Sequence, residues 1–234
     1  MCFSKEMANV IENKAKFLKL SDWSIIPEKN KGESSNSKRF EDLRYVYNQR
    51  IKGFCRPYVL AQRISWEIRS PIEVQVEPVE EYQLYCKEEE LQSLGNTLNI
   101  DYWVKRGDVF LGLKPDGWFR LHQAKMNGQW HNLFIPNGER TFEWRLGWGL
   151  ECTEDQIAML LPAEDQDKIK VHPGILESKT LNRFNEAGTG MSLAIEPLKK
   201  AIIKRNEVIA KLIIMPKSVL EIKTIVEERG IRDE

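Results

Sequence analysis

The sequence is poor in the residues that build metal sites and disulfides. Its four cysteines, Cys2, Cys55, Cys86 and Cys152, lie far apart without a C-x-x-C pair, and only three histidines are present. Structural zinc sites use closely spaced Cys and His ligands, so this spacing predicts no metal site, and no motif predicts a cofactor. Free thiols indicate a reducing compartment.

Long apolar runs and catalytic signatures are also missing. No stretch reaches the about 18 consecutive apolar residues of a membrane helix, and charged residues interrupt every apolar run in residues 1–17. We therefore expect no signal peptide, no membrane contact and a cytoplasmic protein, or one assembled into a particle made there. The sequence has no G-x-S-x-G, P-loop or dinucleotide-binding fingerprint, which favours a protein that is not an enzyme.

Net charge is zero, but the charges are unevenly distributed. Residues 1–69 carry 14 Lys and Arg against 8 Asp and Glu, whereas residues 70–100 carry 1 against 7. A basic first third and an acidic segment could dock within one chain, pair with a second copy, or simply face water. Nothing in this balance favours nucleic acid as a partner.

The pattern predicts helical additions around a β core. Apolar residues at helical spacing from Met7 to Leu18 predict an amphipathic helix, and those from Phe40 to Ile51 predict a second, short one. Between them, Pro27 to Arg39 has no apolar side chain after the proline, which predicts a loop or linker. We predict a helical, partly flexible N-terminal extension over 1–53, a β core domain over 54–216, and a C-terminal helix over 217–234.

Turn signals separate short β-prone runs in the core. The first runs are 58–71, 72–78, 81–86 and 101–113, and Lys87 to Leu94 is predicted as a helical turn closed by Gly95. Turns are expected at 114–117, 127–128 and 137–138, because Asp-Gly and Asn-Gly tolerate positive φ. Their spacing of 8–12 residues is typical of a sandwich- or barrel-like core, so the fold class is predicted as mainly β.

The later strands are more strongly marked. Residues 140–151 read as a strand in which Gly147 and Gly149 mark a bulge or a close backbone approach, and 156–162 as a short buried strand. The run 207–215 predicts a central strand, because after Glu207 it is almost wholly apolar and Lys211 is the only charge. After Pro216, Ser218 and Glu221 form a capping-box pattern that predicts a closing helix packed on the core.

Ten aromatic residues crowd into fewer than fifty positions. They can fill a β core, form a protein interface, or stack ligands such as sugars and bases. The candidate ligand or interface residues are Trp118, Trp130, Trp144, Trp148, Arg120 and Arg145. A carbohydrate-binding module would use Trp118, Trp130 and Trp144.

Two polar groups are weaker candidates. His122 and His131 flank the predicted 127–128 turn and would approach each other across a regular hairpin, although surface histidines are the simpler interpretation. The carboxylates of Asp165, Asp167 and Glu177 could hold Mg²⁺ near a phosphate, or could belong to a solvated loop. They are the candidate catalytic residues if the protein is an enzyme.

Two family resemblances attach to these elements. The order of Arg56–Pro71, then Pro173–Glu177, then Ile203–Pro216 resembles a family of uncharacterised bacterial and phage β proteins, which implies no activity. Strand 207–214, following the Gly-Ile-Leu-Glu step at 174–177, also resembles the dUTPase and dCTP deaminase fold. That second resemblance implies a phosphate-gripping Arg-Ser-Ser turn after Pro162, where this chain has the acidic 163–166.

The hypothesis that follows is a non-catalytic interaction or assembly protein, self-associating or bound to protein partners, such as an oligomer or a phage-type structural component. It rests on the charged N-terminal arm, the surplus of aromatic residues and the missing catalytic set. The first alternative is a Mg²⁺-dependent enzyme or binder acting on a nucleotide or another phosphorylated small molecule. The second is the carbohydrate-binding module.

Overall fold

The structure is a computed structural model that describes residues 15–32, 55–79, 84–100, 102–113 and 123–227. Its strands are β1 (Lys16–Lys19), β2 (Glu28–Lys29), β3 (Ser65–Arg69), β4 (Val74–Val76), β5 (Tyr102–Arg106), β6 (Val109–Leu113), β7 (Gln123–Met126), β8 (Gln129–Asn132), β9 (Phe134–Gly138), β10 (Thr141–Arg145), β11 (Trp148–Glu151), β12 (Gln156–Pro162), β13 (Ile169–Val171), β14 (Gly174–Glu177), β15 (Ser192–Pro197), β16 (Ala201–Ile203) and β17 (Val208–Pro216). The helices are α1 (Arg56–Arg63), α2 (Leu91–Leu98) and α3 (Ser178–Glu186), with 3-10 helices at Glu88–Glu90 and Lys217–Glu221. The predicted mainly β class is confirmed.

A five-stranded antiparallel sheet has the order β14-β12-β17-β3-β2. The predicted central strand is confirmed, because β17 pairs with β12 on one side and with β3 on the other. Gln156 lies opposite Pro216 at one end of the β12–β17 pair, and Pro162 lies opposite Ala210 at the other. The apolar run of β17 therefore has a neighbour along both edges, as expected of a strand inside a sheet.

A four-stranded antiparallel sheet has the order β13-β15-β10-β9. In β15 the buried Leu193 and Ile195 alternate with the half-buried Ala194 and Glu196, so one face points inward and the other carries polar groups. Inward residues of this sheet and of the five-stranded sheet belong to one buried cluster, which also includes Trp148 of β11. The arrangement is sandwich-like, because two sheets share a core.

Strand β1 stands where the sequence predicted the end of a helix. Phe17 and Leu18 pair antiparallel with Leu150 and Gly149 of β11. Phe17 also packs edge-on against Trp66 and Trp148, with ring centroids 6.2 and 5.6 Å apart. The helix prediction is therefore wrong for residues 16–18, because pairing with a distant strand outweighs local periodicity. The rest of that predicted helix, up to residue 14, lies outside the described residues.

The predicted strand that began at Tyr58 is also corrected. Residues 56–63 form α1, with Pro57 in its first turn, and the strand β3 starts only at Ser65. Proline is well suited to a first helical turn, since its amide nitrogen needs no hydrogen-bond partner there. Of the predicted linker 27–39, residues 28–29 form β2 and pair with β3, and 33–39 lie outside the described residues. The second predicted helix, 40–51, lies outside them as well.

Of the two predicted turns that lie in the described residues, one is confirmed. Asn127 and Gly128, with φ of 50° and 82°, join β7 to β8 as predicted. The next turn lies two residues later than expected, at Glu139 and Arg140, whose φ values are 51° and 59°. Likewise α2 does not end at Gly95 but continues to Leu98, and the left-handed residue that ends it is Asn99. The predicted 114–117 turn is outside the described part of the chain.

The predicted closing helix is reduced to a short 3-10 segment. Lys217–Glu221 form one, and residues 222–227 have no regular secondary structure. Residues 228–234 lie outside the described range. We call residues 217–227 the C-terminal arm. The domain boundaries near residues 53 and 216 remain predictions, although β1 and β2, from the predicted extension, pair with strands of the predicted core.

Candidate functional site

Two of the aromatic candidates are core residues. The side chains of Trp144 and Trp148 are completely buried. The Trp144 ring packs against Phe134 at a centroid distance of 5.0 Å, and the Trp148 ring packs against Phe17. The prediction that Trp144 and Trp148 line a ligand or interface surface is wrong, because neither ring reaches solvent. A sugar platform that depends on Trp144 is excluded for the same reason.

The other members of that set are at the surface or undescribed. Trp130 on β8 is 65% exposed, while Trp118 and Arg120 lie outside the described residues. Arg145 is on the outer face of the four-stranded sheet, with its Nε 3.6 Å from Oε1 of Glu143. Arg106 donates to the other oxygen of Glu143 at 3.2 Å. Trp130 and Arg145 therefore remain candidate contact residues.

The histidine hypothesis is only partly described. His131 lies on β8 opposite Ala124, and its ring meets Trp23 edge-on at a centroid distance of 5.7 Å. His122 lies outside the described residues. Among the residues that the structure describes, no group of three or more His, Cys, Asp or Glu side chains could hold a metal ion.

The three candidate catalytic carboxylates are not gathered around one point. Asp167 accepts a hydrogen bond of 2.5 Å from Lys199, which holds the pKa of its carboxyl below the ordinary value. Glu177, at the end of β14, pairs with Lys217 at 3.1 Å. Asp165 lies in the exposed turn after β12. Pairing with separate lysines leaves Asp167 and Glu177 poorly placed to share one Mg²⁺ ion.

A polar cluster that the sequence did not predict lies between α1 and the five-stranded sheet. Lys211 of β17 donates to Gln62 Oε1 at 2.9 Å and to Glu164 Oε1 at 3.0 Å. Gln62 donates to the same Glu164 oxygen at 2.8 Å, and Tyr58 donates to Oε2 at 3.1 Å. The hydrogen bond from Lys211 is the main cause of a lowered pKa at Glu164, and those from Gln62 and Tyr58 act in the same direction against burial.

This cluster fixes α1 and the turn after β12 to the sheet. Three donors satisfy the Glu164 carboxylate, so we interpret the cluster as structural rather than catalytic. The sequence carried one signal for it. Lys211 is a lone charge in an apolar central strand, and such a charge is rarely buried without a partner.

A second polar cluster joins the loop before β13 to the turn before β17. Lys168 Nζ donates to both carboxylate oxygens of Glu207 at 2.7 Å, and Gln166 donates to Oε1 at 3.2 Å. Burial alone would raise the pKa of Glu207. The hydrogen bonds from Lys168, the Lys204 backbone and Gln166 outweigh burial, so the pKa is lowered.

The lowered pKa of Glu207 predicts a pH dependence of stability. A carboxylate whose pKa is lower in the folded state stabilises the protein above its unfolded pKa of about 4.3, and this is lost as pH falls through the folded pKa. We expect Glu207→Gln to reduce the free energy of unfolding by about 1–2 kcal/mol at pH 7 and by a smaller amount at pH 3, which lies below the unfolded pKa. Urea titrations at both pH values, with the exposed Glu154→Gln as control, measure this. An equal deficit at both pH values would contradict the assignment.

The C-terminal arm is the most conspicuous exposed apolar feature in the described residues. Ile222, Ile225 and Val226 are 78%, 84% and 82% exposed, and Leu220 is 51% exposed. The predicted packing of this segment on the core is wrong for these four side chains. The root of the arm is fixed, because the Lys217 amide donates to Asp155 O at 2.6 Å and the Lys217 side chain pairs with Glu177.

Comparisons with known proteins do not assign a family. No family model matches the chain, and no curated protein matches it. Among solved structures, the chain is similar to a mutant dUTPase from phage phi11 of S. aureus, with 9% identity, 94% of this chain and 98% of that chain covered, and a TM-score of 0.40. It is also similar to a Staphylococcus bacteriophage 80alpha dUTPase, with 11% identity, 95% and 98% coverage and a TM-score of 0.38. The dUTPases are one of the two groups that the sequence resembles, but these values do not show membership of that family.

None of the described helices is long and apolar enough to cross a bilayer.

Proposed function

We propose that the protein is a non-catalytic assembly module of the cytoplasm, whose copies associate through the C-terminal arm. The observation that carries this proposal is the exposure of Ile222, Ile225 and Val226 on a segment whose root is fixed. Large apolar side chains that lie together in water mark surfaces that bind other proteins. A protein partner removes them from water without changing the fold that presents them.

The apolar side chains of the arm contribute a large part of the free energy that association requires. Burying an aliphatic side chain of this size yields about 1.5–3 kcal/mol, so three of them yield about 4.5–9 kcal/mol. The loss of translational and rotational freedom on association costs about 4–15 kcal/mol. The three residues therefore offset a large part of that cost, and Val219 and Leu220 at the root of the arm add further apolar area.

The shape of the arm fits this role. Residue 222 has extended backbone angles, with φ of −63° and ψ of 120°. When fully extended, the six residues 222–227 reach about 20 Å, which is enough to lie across a neighbouring subunit. Their sequence, Ile-Lys-Thr-Ile-Val-Glu, is rich in residues that favour β structure. An arm of this kind can therefore order against the sheet of another chain.

The test compares a triple substitution and a double substitution in the C-terminal arm. We expect the wild type to sediment as a species heavier than the 27.3 kDa of one chain. A variant with Ile222→Ser, Ile225→Ser and Val226→Ser should self-associate at least about tenfold more weakly, with unchanged thermal stability. The matched control, Lys223→Ser with Thr224→Ser, changes the arm but leaves its apolar residues, and should sediment like the wild type. A monomeric wild type, or an apolar-residue variant that associates as tightly as the wild type, would overturn the proposal.

A further inference from the structure

A basic face lies on the outside of α1. We define the basic face as Lys31, Arg56, Leu60, Arg63 and Ile64, all of them exposed. Arg63 donates through Nε to the backbone oxygen of Lys31 at 3.1 Å, which holds the two cationic residues side by side. In the parts of the chain that the structure describes, no ion pair joins a carboxylate to Lys31, Arg56 or Arg63. The face thus presents three cations together with two large apolar side chains.

An acidic segment with the opposite character precedes α2. We define it as residues 84–90, which include the exposed Leu84, Tyr85, Glu88, Glu89 and Glu90. Tyr85 is 96% exposed and Leu84 is 58% exposed. Its three carboxylates exceed its single cation, Lys87, so its net charge is negative. It therefore carries two large apolar side chains and an excess of the charge that complements the basic face.

The polar contacts of the acidic segment in the described residues are made away from the basic face. Among the described residues, Glu88 pairs with Lys105 at 3.8 Å, and Glu90 accepts a hydrogen bond from the Lys87 amide at 3.1 Å. No hydrogen bond or ion pair joins the acidic segment to the basic face in the described part of the chain. Each surface is also fixed to the rest of the fold. The buried Gln62 anchors α1 through Lys211 and Glu164. The acidic segment continues directly into α2.

We propose that the basic face of one copy binds the acidic segment of a second copy. The inference rests on the proposed assembly function, and it names a contact separate from the C-terminal arm. Opposite charges steer the two surfaces together and fix their relative orientation. The exposed Leu60 and Ile64 on one side, and Leu84 and Tyr85 on the other, supply apolar area at the centre of such a contact. One chain carries both surfaces, so every copy can give and receive this contact.

The charged contact and the contact made by the arm should respond differently to salt concentration. The screening length in water falls from about 10 Å at 0.1 M salt to about 3 Å at 1 M salt. We expect the charged contact to weaken over that range, whereas burial of the apolar arm does not depend on charge. The wild type should therefore lose part, but not all, of its self-association affinity as salt is raised.

Charge reversal with mixing tests the proposal. One variant carries Lys31→Glu and Arg56→Glu, and the other carries Glu88→Lys and Glu89→Lys. Each alone should self-associate at least about tenfold more weakly than the wild type, which corresponds to about 1.4 kcal/mol. In a one-to-one mixture the two variants should bind each other and regain the lost affinity. The reversed basic face of one variant then meets the reversed acidic segment of the other. Arg56 begins α1, where a glutamate suits the helix dipole, and circular dichroism checks that both variants fold.

The outcomes are distinct from those of the arm experiment. If both reversed variants keep wild-type affinity and salt dependence while the apolar arm variant dissociates, the charged contact is overturned and the proposed function stands. If both variants weaken but the mixture gains nothing, the two surfaces do not bind each other and the inference is overturned. A wild type that is monomeric at every concentration and salt overturns the contact together with the proposed function.

Discussion

We expect Trp148→Ala to lower the free energy of unfolding by about 3–5 kcal/mol. Trp148 is completely buried, and its ring packs edge-on against Phe17, which ties β1 to the core. Removing the indole leaves a cavity in a cluster to which both main sheets contribute, and the surrounding side chains relax only partly into such a space. Urea unfolding followed by circular dichroism measures the change.

The matched control makes the same substitution at an exposed position. Trp130 is 65% exposed on β8, so Trp130→Ala should change the free energy of unfolding by less than about 0.5 kcal/mol. Comparable losses at the two positions would contradict the assignment of Trp148 to the core and of Trp130 to the surface. If Trp130 contributes to a protein contact, its replacement should alter association without altering stability.

Gly147→Ala is the second substitution with a large expected effect. Gly147 has φ of 72°, and a Cβ atom there would lie 2.6 Å from Cη2 of Trp23. The left-handed backbone costs about 1–2 kcal/mol for a residue with a side chain, and forcing an atom into a packed site costs about 1–3 kcal/mol more. The expected total loss is about 2–5 kcal/mol.

Gly128 provides the control for the backbone contribution. Its φ is 82°, but a Cβ atom there would meet nothing within 4 Å. Gly128→Ala should therefore lose only the backbone part, about 1–2 kcal/mol. Thermal or urea unfolding of both variants separates the two contributions. Equal losses would show that Trp23 does not press against Gly147.

The strands that the sequence predicted well are those that carry their own signal. β12 is bounded as predicted, and β17 within one residue, because an apolar run of this length requires neighbours on both faces and is stopped by proline. Gly147 and Gly149 do mark a close approach, since Trp23 and Asn185 occupy the space where their side chains would lie, but the predicted single strand 140–151 is interrupted between Arg145 and Trp148. The bounds of β12 and β17 depend on local sequence, whereas the neighbours of the two glycines are distant in the chain.

The errors concern elements whose state is decided by distant residues. β1 forms a strand because it pairs with β11, more than 100 positions later. No pattern within residues 16–19 predicts that pairing. α1 is the exception, because Pro57 in its first turn is a local helix-start signal that outweighs the β-prone residues after it. Predicting the Lys211 cluster would require knowing that Gln62 of α1 and Glu164 both lie beside Lys211 of β17.

The C-terminal arm shows why a local pattern can mislead. Ser218 and Glu221 have the spacing of a capping box, and the apolar residues after them fit a helical stripe. A helix this short is marginal in water unless an apolar face docks on a core. The described structure provides no such docking for Ile222, Ile225 and Val226, which remain more than three-quarters exposed. The same missing contact that prevents the helix is the basis of the assembly proposal.

Photo-crosslinking from the arm tests that proposal most directly. A photoreactive amino acid in place of Ile225 should, on irradiation of the purified full chain, give covalently joined chains whose crosslinked peptides come from two copies, shown by mixing isotopically labelled and unlabelled protein. Crosslinks confined to one copy, or no crosslinks between labelled and unlabelled chains at any protein concentration, would contradict association through the arm.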